Sequence, residues 1–341
     1  SLTVVGGFQA RDNRDKNVFI AANGLVISGV YNVGNASTNL AGSENNTRAT
    51  QMGLYGDVRL GFKEWAYLHI TGRNDWRSVL AKENRSFFYP AADVSIILSD
   101  AISALKESEW VDALKIRGGY SQVGQVSIGA YALQSTFNQN YGYPYSSGGG
   151  FGISNTLVSP DLQPEITTSL EGGFDLDLKK YSASIGMTLY KSNTVDQTIP
   201  VQISSASGYN SFLTNVGEVQ NKGIETYFQA TPIETSFGLS AMFRVTYTLN
   251  RNEVISLADG TDELNIGSLG NGRIVAKVGK PFPYLTVTKY NRTEDGKVIV
   301  NPITGFPATD GVYKNVGTTS PPHILGLTSE FKYKGFRLAA T

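Results

Sequence analysis

Residues Ala49 to Phe62 read ATQMGLYGDVRLGF. Taken alternately, they fall into two sets. Met52, Leu54, Gly56, Val58, Leu60 and Phe62 form one; Gln51, Gly53, Tyr55, Asp57, Arg59 and Gly61 form the other. Successive side chains of a strand point to opposite faces, so this stretch is a strand with one apolar face and one polar or charged face. Its length, about 12–14 residues, is roughly twice that of a strand in a soluble protein. A tilted strand needs ~9–11 residues to cross the hydrocarbon layer of a bilayer, and this one is long enough.

The same alternation returns along the chain. Ile166 to Lys179 sets Ile166, Thr168, Leu170, Gly172, Phe174, Leu176 and Leu178 against Thr167, Ser169, Glu171, Gly173, Asp175, Asp177 and Lys179. Phe237 to Asn250 sets Phe237, Leu239, Ala241, Phe243, Val245, Tyr247 and Leu249 against Gly238, Ser240, Met242, Arg244, Thr246, Thr248 and Asn250. Weaker copies occupy 1–9, 65–76, 87–98, 113–123, 181–192, 221–231, 323–333 and 335–341, giving about eleven strands in all.

The connections alternate in length. Tight turns fall near Lys63-Glu64, Lys179-Lys180, Pro232 to Glu234 and Lys334-Gly335; long connections occupy 10–48, 77–87, 124–165, 193–220 and 251–322. Residues 99–112 are expected to form one or two helical turns, with Ser99 as N-cap. Short turns on one rim and long loops on the other describe a transmembrane antiparallel β-barrel, all-β, with periplasmic turns and extracellular loops. Aromatics near strand ends (Trp65, Tyr67, Phe87, Phe88, Tyr89, Tyr181, Tyr333, Phe336) fit an interfacial girdle. Strand pattern is already running at Val4, Gly6 and Phe8 and still running at Phe336, Leu338 and Ala340. Bacterial single-chain barrels have even strand numbers, so residues 1–341 are expected to be part of one larger barrel domain.

Composition narrows the function. The chain carries 29 basic and 29 acidic residues and no net charge, which gives it no long-range field for nucleic acid. Cysteine is absent, which removes disulfides and thiolate chemistry. No apolar run reaches the ~20 residues of a membrane-spanning helix, and Ser1 to Gly6 shows no signal-peptide pattern.

Several blocks, in order, carry a resemblance. They are Arg73-Asn74-Asp75-Trp76; Asn84-Arg85-Ser86-Phe87-Phe88-Tyr89-Pro90-Ala91; Leu114-Lys115-Ile116-Arg117-Gly118-Gly119-Tyr120-Ser121 with Gly124; Asp161-Leu162-Gln163-Pro164-Glu165; Asn215 to Glu225, reading NVGEVQNKGIE; and Tyr333-Lys334-Gly335-Phe336. Over nearly the whole chain this series resembles the SusC/RagA family of TonB-dependent transporters of Bacteroidetes. The resemblance implies a 22-stranded barrel plugged by an N-terminal domain and energised by the TonB–ExbB–ExbD complex. It also implies a SusD-like lipoprotein closing the outer mouth and import of oligosaccharides or peptides. The plug, the TonB-contacting segment and the remaining strands have no counterpart in these residues.

Candidate site residues follow from the alternation. Asp57, Arg59, His69, Arg73, Glu171, Asp175, Asp177, Glu225 and Arg244 lie on polar strand faces, where they either touch a plug and line a path or pair across strands in a wet lumen. Tyr141, Tyr143 and Tyr145, in a loop followed by Ser146-Ser147-Gly148-Gly149-Gly150, and Trp76 at an outer strand end are candidate ligand contacts, since aromatic faces stack on sugars and apolar side chains. Asp259 to Glu263 and Glu294-Asp295-Gly296 cluster oxygens without a full calcium-loop pattern and read as exposed turns. No cofactor or metal is expected. The only histidines, His69 and His323, stand on different strands with no catalytic partners in view, so no enzymatic role is expected. The alternatives to an active importer are a passive barrel or a structural or adhesive component of the envelope. A soluble β-rich protein is a third, weaker reading.

Overall fold

The computed structural model describes residues 1–134, 136–140 and 150–341. Eleven strands form one antiparallel sheet whose spatial order is the chain order. They are β1 (Leu2–Ala21), β2 (Ala41–Phe62), β3 (Ala66–Arg77), β4 (Ser86–Ile97), β5 (Val111–Gln125), β6 (Glu165–Leu178), β7 (Ala183–Val195), β8 (Glu218–Glu234), β9 (Leu239–Ser256), β10 (His323–Tyr333) and β11 (Phe336–Ala340). Each strand read from the alternation corresponds to one of these. β1 and β11 each pair within this sheet along one edge only.

The tight turns rest on backbone that bends where the side chains allow it. Lys63 and Glu64 take φ of 46° and 65°, while glycine supplies the left-handed position at Gly238 (φ 93°) and Gly335 (φ 91°). Between β4 and β5 two short helical turns, Leu98–Ala101 and Ser103–Lys106, fill the connection. Ser99 is not their N-cap. Ile97 holds that position, and Ser99 is buried inside the first turn, its Oγ accepting from the Leu114 N–H at 3.3 Å.

The opposite rim is more ordered than the sequence pattern implies. The stretch 10–48 is largely a continuation of the β1–β2 hairpin, with pairing unbroken from Ala10↔Met52 to Ala21↔Ala41. Hydrophobic alternation fades there because both faces meet water, so periodicity gives no sign of a strand. Cross-strand charge takes its place: Arg48 Nε lies 2.8 Å from Asp12, and Lys16 Nζ lies 3.1 Å from Glu44. Within 251–322 a separate four-stranded sheet forms from Glu263–Leu269, Gly272–Lys277, Tyr284–Tyr290 and Thr309–Thr318. Thr198–Gln202 and Ser211–Asn215 pair as a hairpin, and Thr156–Val158 joins them in parallel. A small apolar core sits where these loops meet the wall: Val219 of β8 and Val254 of β9 pack with Leu264 and Ala276, flanked by Ile199 and Phe282.

Register keeps the two faces of the wall in line along β1–β3. Phe8, Leu54 and Asn74 stand in line, as do Val4, Val58 and Ile70; Val5, Asp57 and Thr71 stand in line on the reverse. The apolar face remains uncovered: Phe8, Leu54, Leu170, Leu189, Leu325 and Leu327 are all about half exposed or more. A face this large and apolar, with no layer packed on it, is a surface for lipid rather than water.

Candidate functional site

The polar face is built by register. Arg59 of β2 lies opposite His69 of β3, and His69 opposite Asp93 of β4. Asp93 faces Gly119 of β5, which faces Glu171 of β6, which faces Tyr190 of β7. Glu225 of β8 stands between Thr188 and Thr248; Arg244 of β9 stands between Gln229 and Thr328. Asp57, Arg59, His69, Arg73, Glu171, Asp175, Asp177, Glu225 and Arg244 therefore all share one face. A single-residue slip in any strand would turn its whole polar set outward, so the apolar rows on the reverse fix this arrangement.

Most of these charges are engaged by neighbours on the same face. His69 stands between two carboxylates, with Nε2 2.6 Å from Asp57 and Nδ1 2.7 Å from Asp93. A ring protonated on both nitrogens satisfies both contacts at once. Arg59 Nε adds a 3.0 Å ion pair to Asp57. One turn of pleat outward, Arg73 donates from Nε to Asp75 at 2.7 Å and from Nη2 to Gln9 of β1 at 3.1 Å, while the Tyr89 hydroxyl donates to Asp75 at 2.8 Å. Further round, Arg117 of β5 lies 3.3 Å from Asp175 and donates to Thr188 at 2.7 Å. Asp177 accepts from the Ser184 hydroxyl at 2.6 Å, and Arg244 lies over the Tyr227 ring at 5.3 Å. Near the inner rim Glu330 holds Lys332 and Arg337. These are ladders of cross-strand pairs on a wet surface, and each ties two or three strands together.

Two glycines make room for the ladders. A Cβ at Gly53 would occupy the space of the Arg73 guanidinium and the Asp75 carboxylate; one at Gly186 would collide with the Tyr227 ring and Asp175. Long side chains lie flat across the backbone at these points instead of reaching into the lumen. Between the ladders a shallow cavity of about 490 Å³ opens, lined by Tyr55, Asp57, Arg59, Arg73, Tyr89 and Ser121 among others. It sets two guanidiniums, a carboxylate and two phenols among apolar lining from Val5, Pro90, Ala91 and Val123, a surface of mixed character. Among the described residues no three carboxylate or imidazole groups converge where a metal ion would sit. In the Asp57–His69–Asp93 trio the ring itself stands between the two acids.

Trp76 is not on this face. It lies opposite Met52 and Ser86, in line with the apolar set, beside Phe8 and close to the outer rim. That is the place of an interfacial aromatic rather than of a ligand contact inside the lumen. Tyr141, Tyr143 and Tyr145 lie outside the described residues. Sequence reading passed over Asp75, Asp93, Arg117 and Glu330 as site residues, and it placed Tyr89 in the interfacial girdle, whereas Tyr89 faces inward onto Asp75. The alternation carries all five onto the polar face, so the signal was present in the parity of each strand.

A sheet of long strands with an uncovered apolar face, a paired polar face and loops stacked on one rim is the wall of an outer-membrane β-barrel. Residues 3–337 match the model described as TonB dependent receptor-like, beta-barrel, and the chain belongs to that family. Similar proteins include TonB-dependent receptor P3 of Formosa agariphila, 22% identical over 98% of this chain and 36% of that receptor, and TonB-dependent receptor P39 of the same organism, 28% identical over 67% and 21%. Among solved structures the fold is similar to that of the RagAB peptide transporter, with a TM-score of 0.81 at 20% identity over 99% of this chain and 38% of that one. The RagAB peptide importer in its open-open state gives 0.80 at 19% identity. The chain thus spans a little over a third of the length of receptor P3 and of the RagAB chain, and about a fifth of receptor P39. It is an integral β-barrel protein of the outer membrane.

Proposed function

We propose that this chain forms part of the wall of an energy-coupled importer that brings peptides or oligosaccharides across the outer membrane. The observation that carries the reading is the family match over residues 3–337 on a sheet whose inner face carries charged ladders around an open cavity. In this reading residues 1–341 belong to a single barrel domain completed by further strands to 22, with a plug domain inside. The plug is coupled to TonB–ExbB–ExbD, and a SusD-like lipoprotein covers the outer mouth. The similarity to a transporter described as RagAB favours peptide cargo and a two-component assembly. Tyr141, Tyr143 and Tyr145 are assigned to cargo or to the lipoprotein, and the charged ladders to plug contact and to keeping the wall wet. The wall is a conduit and carries no catalytic step.

The test is uptake of labelled peptides and oligosaccharides by cells making the full-length receptor, with and without an intact proton gradient. Uptake that stops when the gradient is collapsed supports the reading. Entry that continues unchanged identifies a passive barrel, and absence of any entry in cells with the receptor assembled points to a structural role.

A further inference from the structure

The outward face changes character abruptly at one place. In β7, Ile185, Met187 and Leu189 alternate outward and are followed by Lys191. Lys191 lies directly opposite Lys222 of β8, and Lys222 directly opposite Arg251 of β9. Three cations thus stand in one row across three adjacent strands, all exposed. The next outward row is polar: Asn193 donates to Glu218 at 2.6 Å and accepts from Gln220 at 2.9 Å. Immediately inside the basic row come Leu189, Ile224 and Leu249. The row therefore marks the outer limit of the hydrocarbon. A strand climbs about 2.5 Å per residue along the membrane normal at a ~40° tilt. That sets Lys191 about 20 Å above the inner turn, near the top of a band about 25 Å tall.

Like charges directly opposite across strands repel, and among the described residues none of the three forms an ion pair. Beside them a cavity of about 330 Å³ opens above the start of β10, lined by Lys222, Arg251, Lys280 and the Pro321-Pro322 segment, with Glu253 as its one acidic member. Lys280 brings a fourth exposed cation to its edge. Basic groups at a membrane boundary, facing lipid and lacking a protein counter-ion, match a lipid that carries its own anionic charge there.

We propose that Lys191, Lys222, Arg251 and Lys280 form a binding site on the outer wall for the phosphate-bearing headgroup of a glycolipid in the outer leaflet. One phosphate bridges the Lys191–Lys222–Arg251 row, which removes the mutual repulsion of its members, and the adjoining cavity takes the sugar. Bound lipid of this kind pins β7–β9, the strands on which the extracellular sheets rest. The site stands on the outer face and is independent of what passes through the lumen.

The full-length receptor in detergent, titrated with bis-phosphorylated lipid A and with dephosphorylated lipid A, tests the proposal when retained lipid is counted by native mass spectrometry. Each cation near an anionic lipid is worth about fivefold in affinity. The triple variant Lys191→Gln, Lys222→Gln, Arg251→Gln is therefore expected to retain the phosphorylated lipid at least about tenfold less well. Its retention of the dephosphorylated lipid is expected to match wild type. Lys191→Arg with Lys222→Arg keeps wild-type binding; should the triple variant fail to assemble, Lys222→Gln alone is expected to lose two- to fivefold. Equal retention of both lipids by wild type, an unaffected triple variant, or full displacement of the lipid by millimolar inorganic phosphate each overturns it, the last by showing a free-phosphate site.

Discussion

Phe174 and Leu170 point to the same side of β6 and differ only in depth. Phe174 stands four residues from the inner end of the strand, about 10 Å up a band about 25 Å tall, and Leu170 eight. Leu170 also lies directly opposite Lys191, where the wall already carries a cation outward. An arginine at Phe174 is expected to cost ~2–4 kcal/mol, and one at Leu170 about 0–1 kcal/mol, because the long side chain snorkels to the headgroups from there. Phe243→Arg, four residues into β9 and packed edge-on against Phe331, belongs with Phe174→Arg. Thr167→Arg and Ser240→Arg, on the lumen face, should assemble nearly as wild type. Urea titration of the heat-modifiable band reads all five, and equal midpoints for Phe174→Arg and Thr167→Arg would mean that the assignment of faces is wrong. Sequence alone gave the face but not the depth; depth requires knowing which residues lie opposite.

At the scale of elements, three of the motifs that carried the family resemblance, those around Asn84, Asp161 to Glu165 and Asn215 to Asn221, prove to be clips at the outer rim. Asn215 accepts from the Gln163 N–H at 2.7 Å and donates to the carbonyls of Gln163 at 2.9 Å and Asp196 at 2.7 Å. Asn84 donates to the carbonyls of Asp161 and Leu162, and Leu162 is 1% exposed beneath them. Asn252 ties Asn221 to the Phe282 N–H. Such order was illegible beforehand because one side chain serves several backbone groups far away in sequence, and no period records that. Asn215→Ala is expected to destabilise the rim by about 1–3 kcal/mol, since it strands backbone donors and acceptors. Amide exchange should rise at Gln163 and in Thr198–Gln202 but not in β6; unchanged exchange at Gln163 would show that the clip is dispensable. The projecting β1–β2 hairpin adds a pH-dependent element. The Arg48 and Arg14 guanidiniums hold the Asp12 carboxyl below its ordinary value. A carboxyl lowered on folding stabilises the hairpin above about pH 4 and loses that contribution as pH falls through the lowered value. Exchange in residues 10–21 should therefore accelerate on acidification, with Asp12→Asn showing fast exchange at every pH. An Asp12→Asn hairpin as protected at neutral pH as wild type would remove the carboxylate from the account.

For the whole molecule, the two faces of one sheet divide the labour, and aromatic residues show how the division is read. Trp76 and Tyr89 sit near the same outer rim on neighbouring strands, yet Trp76 faces outward beside Met52 and Tyr89 faces inward onto Asp75. Composition treats them alike; parity along the strand separates them. The wall as a class, its eleven strands and its polar face were legible because a barrel repeats one simple rule. The ladders and the extracellular sheets were not, because they depend on pairings between strands and on loops with no period. Trp76→Ala should lower the unfolding midpoint of the assembled receptor, by about 1–2 kcal/mol for a half-exposed aromatic, and leave uptake per assembled molecule unchanged. The triple change of Tyr141, Tyr143 and Tyr145 to Ala should do the reverse, with wild-type assembly and uptake reduced at least severalfold at low cargo concentration. Measuring assembly and uptake on the same cells separates the two outcomes. If Trp76→Ala lowers uptake at full assembly, the outer face takes part in capture and the assignment of cargo contact to the loop is wrong.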